Sequence, residues 1–150
     1  MNELIKNKEY NELVENIGSV YNKAKNKIIS TINVEMLDAY WNIGKNIVEF
    51  EQKGKLKAEY GKKLLINLYK DLSAKYGKGF SRSNLQYMRL FYLHYPIRQT
   101  VSGKLSWSHY VELLTISDDL ERKFYQKQAE IENWTVRELK RIKRLGKFYC

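Results

Sequence analysis

Arg82, Gln86 and Arg89 follow one another at steps of four and three residues. On a helix turning about 100° per residue, that spacing points all three side chains into one arc. Arginine can set two donors against guanine and glutamine can pair with adenine, so the arc has the chemistry of a helix that reads a DNA groove. Ser81 and Asn84, at the start of the same stretch, complete the candidate DNA-binding set there. Lys62, Lys63 and Lys78 before it, and Arg137, Lys140, Arg141 and Arg144 near the C-terminus, are candidates for phosphate contacts. Each has a plainer use. A polar arc is what any solvated helix carries, and Arg89, beside Leu85 and Tyr92, is equally placed to bridge an acidic residue in the core.

The other reactive residues point away from catalysis. His94 and His109 stand in no metal-ligand spacing with another His, Cys or carboxylate, so both read as structural. Ser106, Ser108 and His109 are close in the chain, but a nucleophile and its base need a third, orienting group, and the serines read better as a helix cap and a helix surface. Gly77 and Gly79 lack the preceding strand that phosphate-binding glycine loops require. No cofactor or metal is expected. The single cysteine, Cys150, can form neither an internal disulfide nor a metal-ligand pair, which fits a reducing, cytoplasmic setting. MNELIKNKEY lacks the apolar core of a signal peptide, and no apolar run is long enough to cross a bilayer, so a membrane association is not expected.

The elements that must position the candidate arc are two short helices. Leu64, Leu65, Leu68 and Leu72 mark the inner face of the first, and Gly77 and Gly79 end it, because glycine adopts positive φ without a Cβ penalty. Ser81 restarts the chain as an N-cap for Ser83 or Asn84, with Phe80 in the place of a hydrophobic staple. Leu85, Met88 and Tyr92 then form the inner face of the second helix.

Around this pair the periodicity predicts further helices. Leu4 to Ile17 gives a short one, and Ile17, Val20, Ala24, Ile28, Ile32, Met36, Tyr40, Ile43 and Ile47 mark one long helix, with Asn33 as the place where it could be interrupted. Core packing is the favoured use of that stripe, with pairing to a second copy as the alternative. Gly44 would let another backbone come close. Residues 49–57, around Gly54, form a charged connection, and Tyr60-Gly61 leads into the central pair. Beyond it, Pro96 forces a stop and residues 97–104 a polar loop. Ser106 caps a helix with Trp107, Tyr110, Val111 and Leu114 inside. Ser117-Asp118-Asp119 opens another carrying Leu120, Phe124 and Ile131, and Thr135 to Glu138 has the spacing of a capping box. No strand is predicted. The expected class is all-α: one helical domain over 1–150, with a long N-terminal helical region to about 50, the helix pair over about 60–95, and C-terminal helices over about 106–145.

The formal net charge of +10 is unevenly spread. Residues 1–50 carry −1, residues 51–100 carry +8 and residues 101–150 carry +3. The excess falls on and beside the helix pair, where a surface for a polyanion should be.

Several strings together resemble the N-terminal domain of the YhcG-like family: YWNIGKNIVEFEQ at 40–52, YGKKLL at 60–65, DLSAKYGKGFSRSNLQYMRLFY at 71–92, LSWSHYVELL at 105–114 and NWTVRELKR at 133–141. The resemblance covers roughly residues 15–142. It implies a helical, DNA-binding domain of helix-turn-helix type that precedes a PD-(D/E)XK nuclease domain. It also places Gly77, Gly79, Phe80, Ser81, Asn84, Leu85, Met88, Arg89, Phe91 and Tyr92 in the family's main motif, and Trp107, His109 and Tyr110 in its second. The nuclease domain is expected to be absent here, so that the chain is non-catalytic by itself. Glu51-Gln52-Lys53, Glu121-Arg122-Lys123 and Glu138-Leu139-Lys140 imitate the carboxylate-spacer-lysine triplet of such nucleases, but they fall in predicted helices or a linker where the triplet needs a strand. The rival reading is a protein-interaction or dimerisation module of the same nuclease system, with Tyr21, Tyr40, Trp41 and Phe50 at its surface.

Overall fold

The computed structural model describes residues 2–53 and 63–149, and every regular element within them is helical. The expected all-α class is what is found. The helices are α1 (Asn2–Glu51), α2 (Leu64–Tyr76), α3 (Arg82–His94), α4 (Trp107–Leu113), α5 (Asp119–Glu132) and α6 (Val136–Arg144), with 3-10 turns at Arg98–Thr100 and Lys147–Tyr149. Gly54, Tyr60, Gly61, Lys62 and Cys150 lie outside the described residues.

In place of a short helix followed by a long one, α1 is a single helix that continues through Asn33. Its sequence contains no proline, and Gly18 and Gly44 stand alone; an isolated glycine costs about 1 kcal/mol against alanine and does not by itself stop a helix. The chain divides into two units, residues 1–35 and 36–150. In the first, Ile17, Val20, Ile28 and Ile32 are all exposed. In the second, Leu37, Trp41, Ile47 and Val48 are buried. The apolar stripe therefore enters a core only from Leu37 onward, and the expectation of core packing fails for its first part.

Two clusters make up the core of the second unit, and α3 contributes to both. Leu85 and Met88 pack with Ile47 and Leu64, while Phe91 packs with Leu37, Tyr110, Tyr125 and Leu139. Leu85, Met88 and Phe91 are fully buried, each contributing about 1.5–3 kcal/mol by leaving water. Tyr92, predicted for the inner face, is half-buried, and Phe91 takes the deeper place. Helices α1 and α3 meet backbone to backbone: a Cβ added at Gly44 would lie 2.0 Å from the Met88 carbonyl oxygen. The Trp41 indole N–H donates to the Tyr95 carbonyl at 2.7 Å, and Arg98 Nε donates to Asp38 at 3.0 Å.

The predicted loop after Pro96 holds one 3-10 turn and is pinned by Tyr110. That hydroxyl accepts the Ser102 N–H at 2.6 Å and donates to the Ser102 carbonyl at 2.9 Å. Burial pushes the Tyr110 phenol well above the usual range. Helix α5 is capped by Asp118, whose carboxylate accepts the Glu121 N–H at 2.8 Å, and it ends at Asn133 in the left-handed region (φ 53°). Helices α4, α5 and α6 pack on one another.

Arg122 is the buried charged side chain among the described residues. It is satisfied by Asp119 and by His94, whose Nδ1 accepts from the guanidinium at 3.2 Å. Burial, and then the Arg122 guanidinium beside it, hold the His94 imidazole below its ordinary range, with Asp119 opposing. A base whose folded pKa is depressed favours the folded state while neutral; the unfolded chain takes the proton first as pH falls. Thermal melts should therefore show stability dropping as pH is lowered through the ordinary histidine range, and His94→Gln, which keeps an acceptor for Arg122, should flatten that part of the profile. Gly44→Ala should lower stability by about 1–3 kcal/mol or more, against the gain its better helix propensity would otherwise bring; a denaturant titration measures the difference.

Candidate nucleic-acid interface

The turn between α2 and α3 is built as its residue types require. Gly77 (φ 84°) and Gly79 (φ 113°) are both in the left-handed region, and the Gly77 N–H closes α2 onto the Ser73 carbonyl at 3.0 Å. A Cβ at either glycine would meet nothing within 4 Å, so the demand is on backbone conformation and not on space. Phe80 packs on the Leu85 cluster, with its ring 6.2 Å from that of Tyr76. The Ser81 hydroxyl caps α3 by accepting the Asn84 N–H at 3.1 Å.

Asn84 is occupied twice over. Its Nδ2 donates to the Gly79 carbonyl at 2.8 Å, and its Oδ1 accepts the Trp107 indole N–H at 2.9 Å. Because an indole nitrogen only donates, this fixes which way the amide points. Trp107 in turn lies 5.1 Å from the Phe91 ring and 4.7 Å from Tyr40. Ser81 and Asn84, predicted as DNA contacts, thus spend these polar atoms on holding the turn and docking α3 to α4.

The predicted reading arc separates into free and engaged members. Arg82 is exposed and Gln86 half-buried. Arg89 Nε donates to Glu51 Oε1 at 2.6 Å, with about a quarter of each side chain exposed. The core bridge open to Arg89 in the sequence is therefore formed, and its acid is the last residue of α1. Glu51 carried no such signal, since it lies 38 residues upstream.

Helix α6 supplies the clearest charged surface. Leu139 is fully buried, and Arg137, Lys140, Arg141 and Arg144 all fall within an arc of roughly 100° on the opposite side. All four are exposed. Lys143 faces elsewhere, bonding Glu112 and, at 2.8 Å, the Thr115 hydroxyl. Among the described residues no carboxylate bridges Arg137, Lys140, Arg141, Arg144, Lys63, Lys78 or Arg82. A cleft of about 490 Å3 brings two predicted regions together: Ser81, Ser83 and Asn84 line it with Lys140, and Trp107 and Glu112 line it too. Lys63 and Lys78 stand exposed before α2 and in the turn, and Lys62 falls outside the described residues.

The histidine and the nuclease-like triplets are accounted for by the fold. His109 Nδ1 accepts the Ser106 backbone N–H at 3.1 Å while Ser106 Oγ accepts the His109 N–H at 3.3 Å, a capping box with histidine in the usual Glu or Gln position. With Nδ1 accepting, Nε2 carries the proton and donates to the Trp134 carbonyl at 2.7 Å. Both ring nitrogens are thus engaged within the protein. Glu51 bridges Arg89, Glu121 accepts the Tyr149 hydroxyl at 3.1 Å, and Glu138 accepts that of Thr135 at 3.1 Å. Among the described residues no cluster of His, Cys, Asp or Glu is arranged to hold a metal ion.

Set against known proteins, residues 16–148 match the family described as the DUF1016 N-terminal domain. The chain is 35% identical to "Putative nuclease YhcG" of Escherichia coli (strain K12) over 88% of its own length, and spans 44% of that protein. No solved structure matches it.

Replacing Asn84 with alanine would strand the Trp107 N–H and the Gly79 carbonyl together. The expected cost is about 1–3 kcal/mol, read as a lower midpoint in urea, and Asn84→Asp, which keeps only the acceptor, should recover part of it.

Proposed function

Because the chain belongs to the family of the DUF1016 N-terminal domain, we propose that it is a DNA-binding domain of helix-turn-helix type that holds a nuclease on its substrate. The observation that carries this is the α6 face: four exposed cations, Arg137, Lys140, Arg141 and Arg144, on one side of a short helix, bridged by no carboxylate among the described residues, in a chain of net charge +10. Such a face matches a row of phosphates, whose neutralisation releases counterions and supplies sequence-independent affinity. Lys63 and Lys78, exposed at the helix pair, and Lys62, the neighbour of Lys63 in the chain, are further candidates for phosphate contacts. Arg82 and Gln86 on α3 are the groups left to meet base edges. Arg89 acts differently. Its bridge to Glu51 anchors α3 to α1, so it positions the reading helix. The cutting reaction belongs to the part of the nuclease that this chain does not span.

Fluorescence anisotropy with linear and branched DNA across a salt series tests the proposal. Binding should weaken steeply with salt, and replacing the four α6 cations by alanine should reduce the slope of log K against log salt by about 0.9 per lost phosphate contact. Arg82→Ala should cost about 1–3 kcal/mol of binding with an unchanged melt. Arg89→Ala should instead lower the melting temperature. Absence of binding at low salt would sink the assignment.

A further inference from the structure

The first unit poses a problem that the second unit's surfaces do not. Tyr10, Leu13, Val14, Ile17, Val20, Tyr21, Ile28 and Ile32 are each more than half exposed, yet with Ala24 they fall within an arc of roughly 120° along one side of α1. A helix with such a stripe gains most of its stability from burying it.

Its charges say against what. Between Glu9 and Lys27 every acidic residue (Glu9, Glu12, Glu15) precedes Gly18, and every basic one (Lys23, Lys25, Lys27) follows it. A second copy laid parallel would set acid beside acid and base beside base. Laid antiparallel, with a two-fold axis between Gly18 and Ser19, it sets each acidic half along a basic half. The same register brings the apolar residues level. Ile17 meets the partner's Val20, Leu13 meets the partner's Ala24, and Tyr10 falls beside the partner's Ile28. These are the alternating layers of a two-stranded antiparallel coiled coil. A C2 interface requires a self-complementary patch, and a segment acidic at one end and basic at the other satisfies that only head to tail.

We infer that residues 9–32 form an antiparallel self-association helix that pairs two copies of this chain about an axis at Gly18–Ser19. The pairing is independent of the nucleic-acid reading, and its test contains no DNA.

Sedimentation velocity of the full chain, at micromolar to millimolar concentration and in low and high salt, should show a monomer–dimer equilibrium that salt weakens. The triple variant E9K/E12K/E15K should raise the dissociation constant at least about tenfold, equivalent to about 1.4 kcal/mol. Adding K23E/K25E/K27E to it restores the complementarity and should restore the wild-type constant. Circular dichroism of each variant checks that the helix is kept. Orientation is read by spin labels at Ser30→Cys in a Cys150→Ser background: antiparallel pairing sets them about 35 Å apart along the axis, and parallel pairing sets them level, separated only across the pair. A chain that stays monomeric throughout, a dimer indifferent to both charge variants, or a short label distance would each overturn the inference.

Discussion

The contact between Gly44 and the Met88 carbonyl governs the second unit. Two helices whose backbones touch cannot rotate or slide without a clash, so this one point fixes where α3 crosses α1. The aromatic and aliphatic side chains around it then have defined neighbours: Ile47 and Leu85 on one side, Trp41 and Phe91 on the other. Trp41 reaches the Tyr95 carbonyl, and Arg89 reaches Glu51 near the far end of the same α1 segment. Hydrogen bond and ion pair therefore hold the crossing on both sides of the glycine. Interiors packed at crystal-like density transmit such a constraint, because no void is available to absorb a shift.

Polar residues in this chain divide between those that hold the fold and those that face outward, and residue type does not tell them apart. Arg122 and Arg89 are both arginines next to apolar positions; one is buried beneath Asp119 and His94, the other bridges two helices. Arg82, seven residues before Arg89, is exposed, and no carboxylate among the described residues bridges it. Asn84 and His109 have the composition of contact residues and the geometry of internal braces. Among the described residues the outward cations of the predicted set are Lys63, Lys78, Arg82 and those of α6, a narrower group than the sequence offered.

Local features were legible because their causes are local. Ser81, Ser106 and Thr135 cap as predicted, since a cap concerns a side chain and an N–H three residues on. The glycine turn was legible for the same reason. Gly44 was a nonlocal success, read from a lone glycine on an apolar stripe. What stayed hidden depends on distant partners: Glu51 for Arg89, His94 for Arg122, the Trp107 indole for Asn84. Periodicity also ran unchanged from Ile17 to Ile47 although only its second part has a core to meet, because a hydrophobic pattern records what a face needs and not which neighbour supplies it. The Thr135–Glu138 spacing does mark a helix start, yet the Glu138 carboxylate takes the Thr135 hydroxyl.

The double engagement of Asn84 has a thermodynamic consequence for any ligand that docks on this helix pair. Holding the backbone of one residue in a single conformation costs roughly 1–2 kcal/mol of entropy. The segment from Gly77 to Asn84 meets that cost during folding, through the Ser81 cap and the two Asn84 hydrogen bonds, so little of it is left for the moment of association. Docking on such an element resembles the meeting of two rigid surfaces. Its heat capacity change then reflects the area in contact alone, without the added increment that accompanies a loop ordering as it binds.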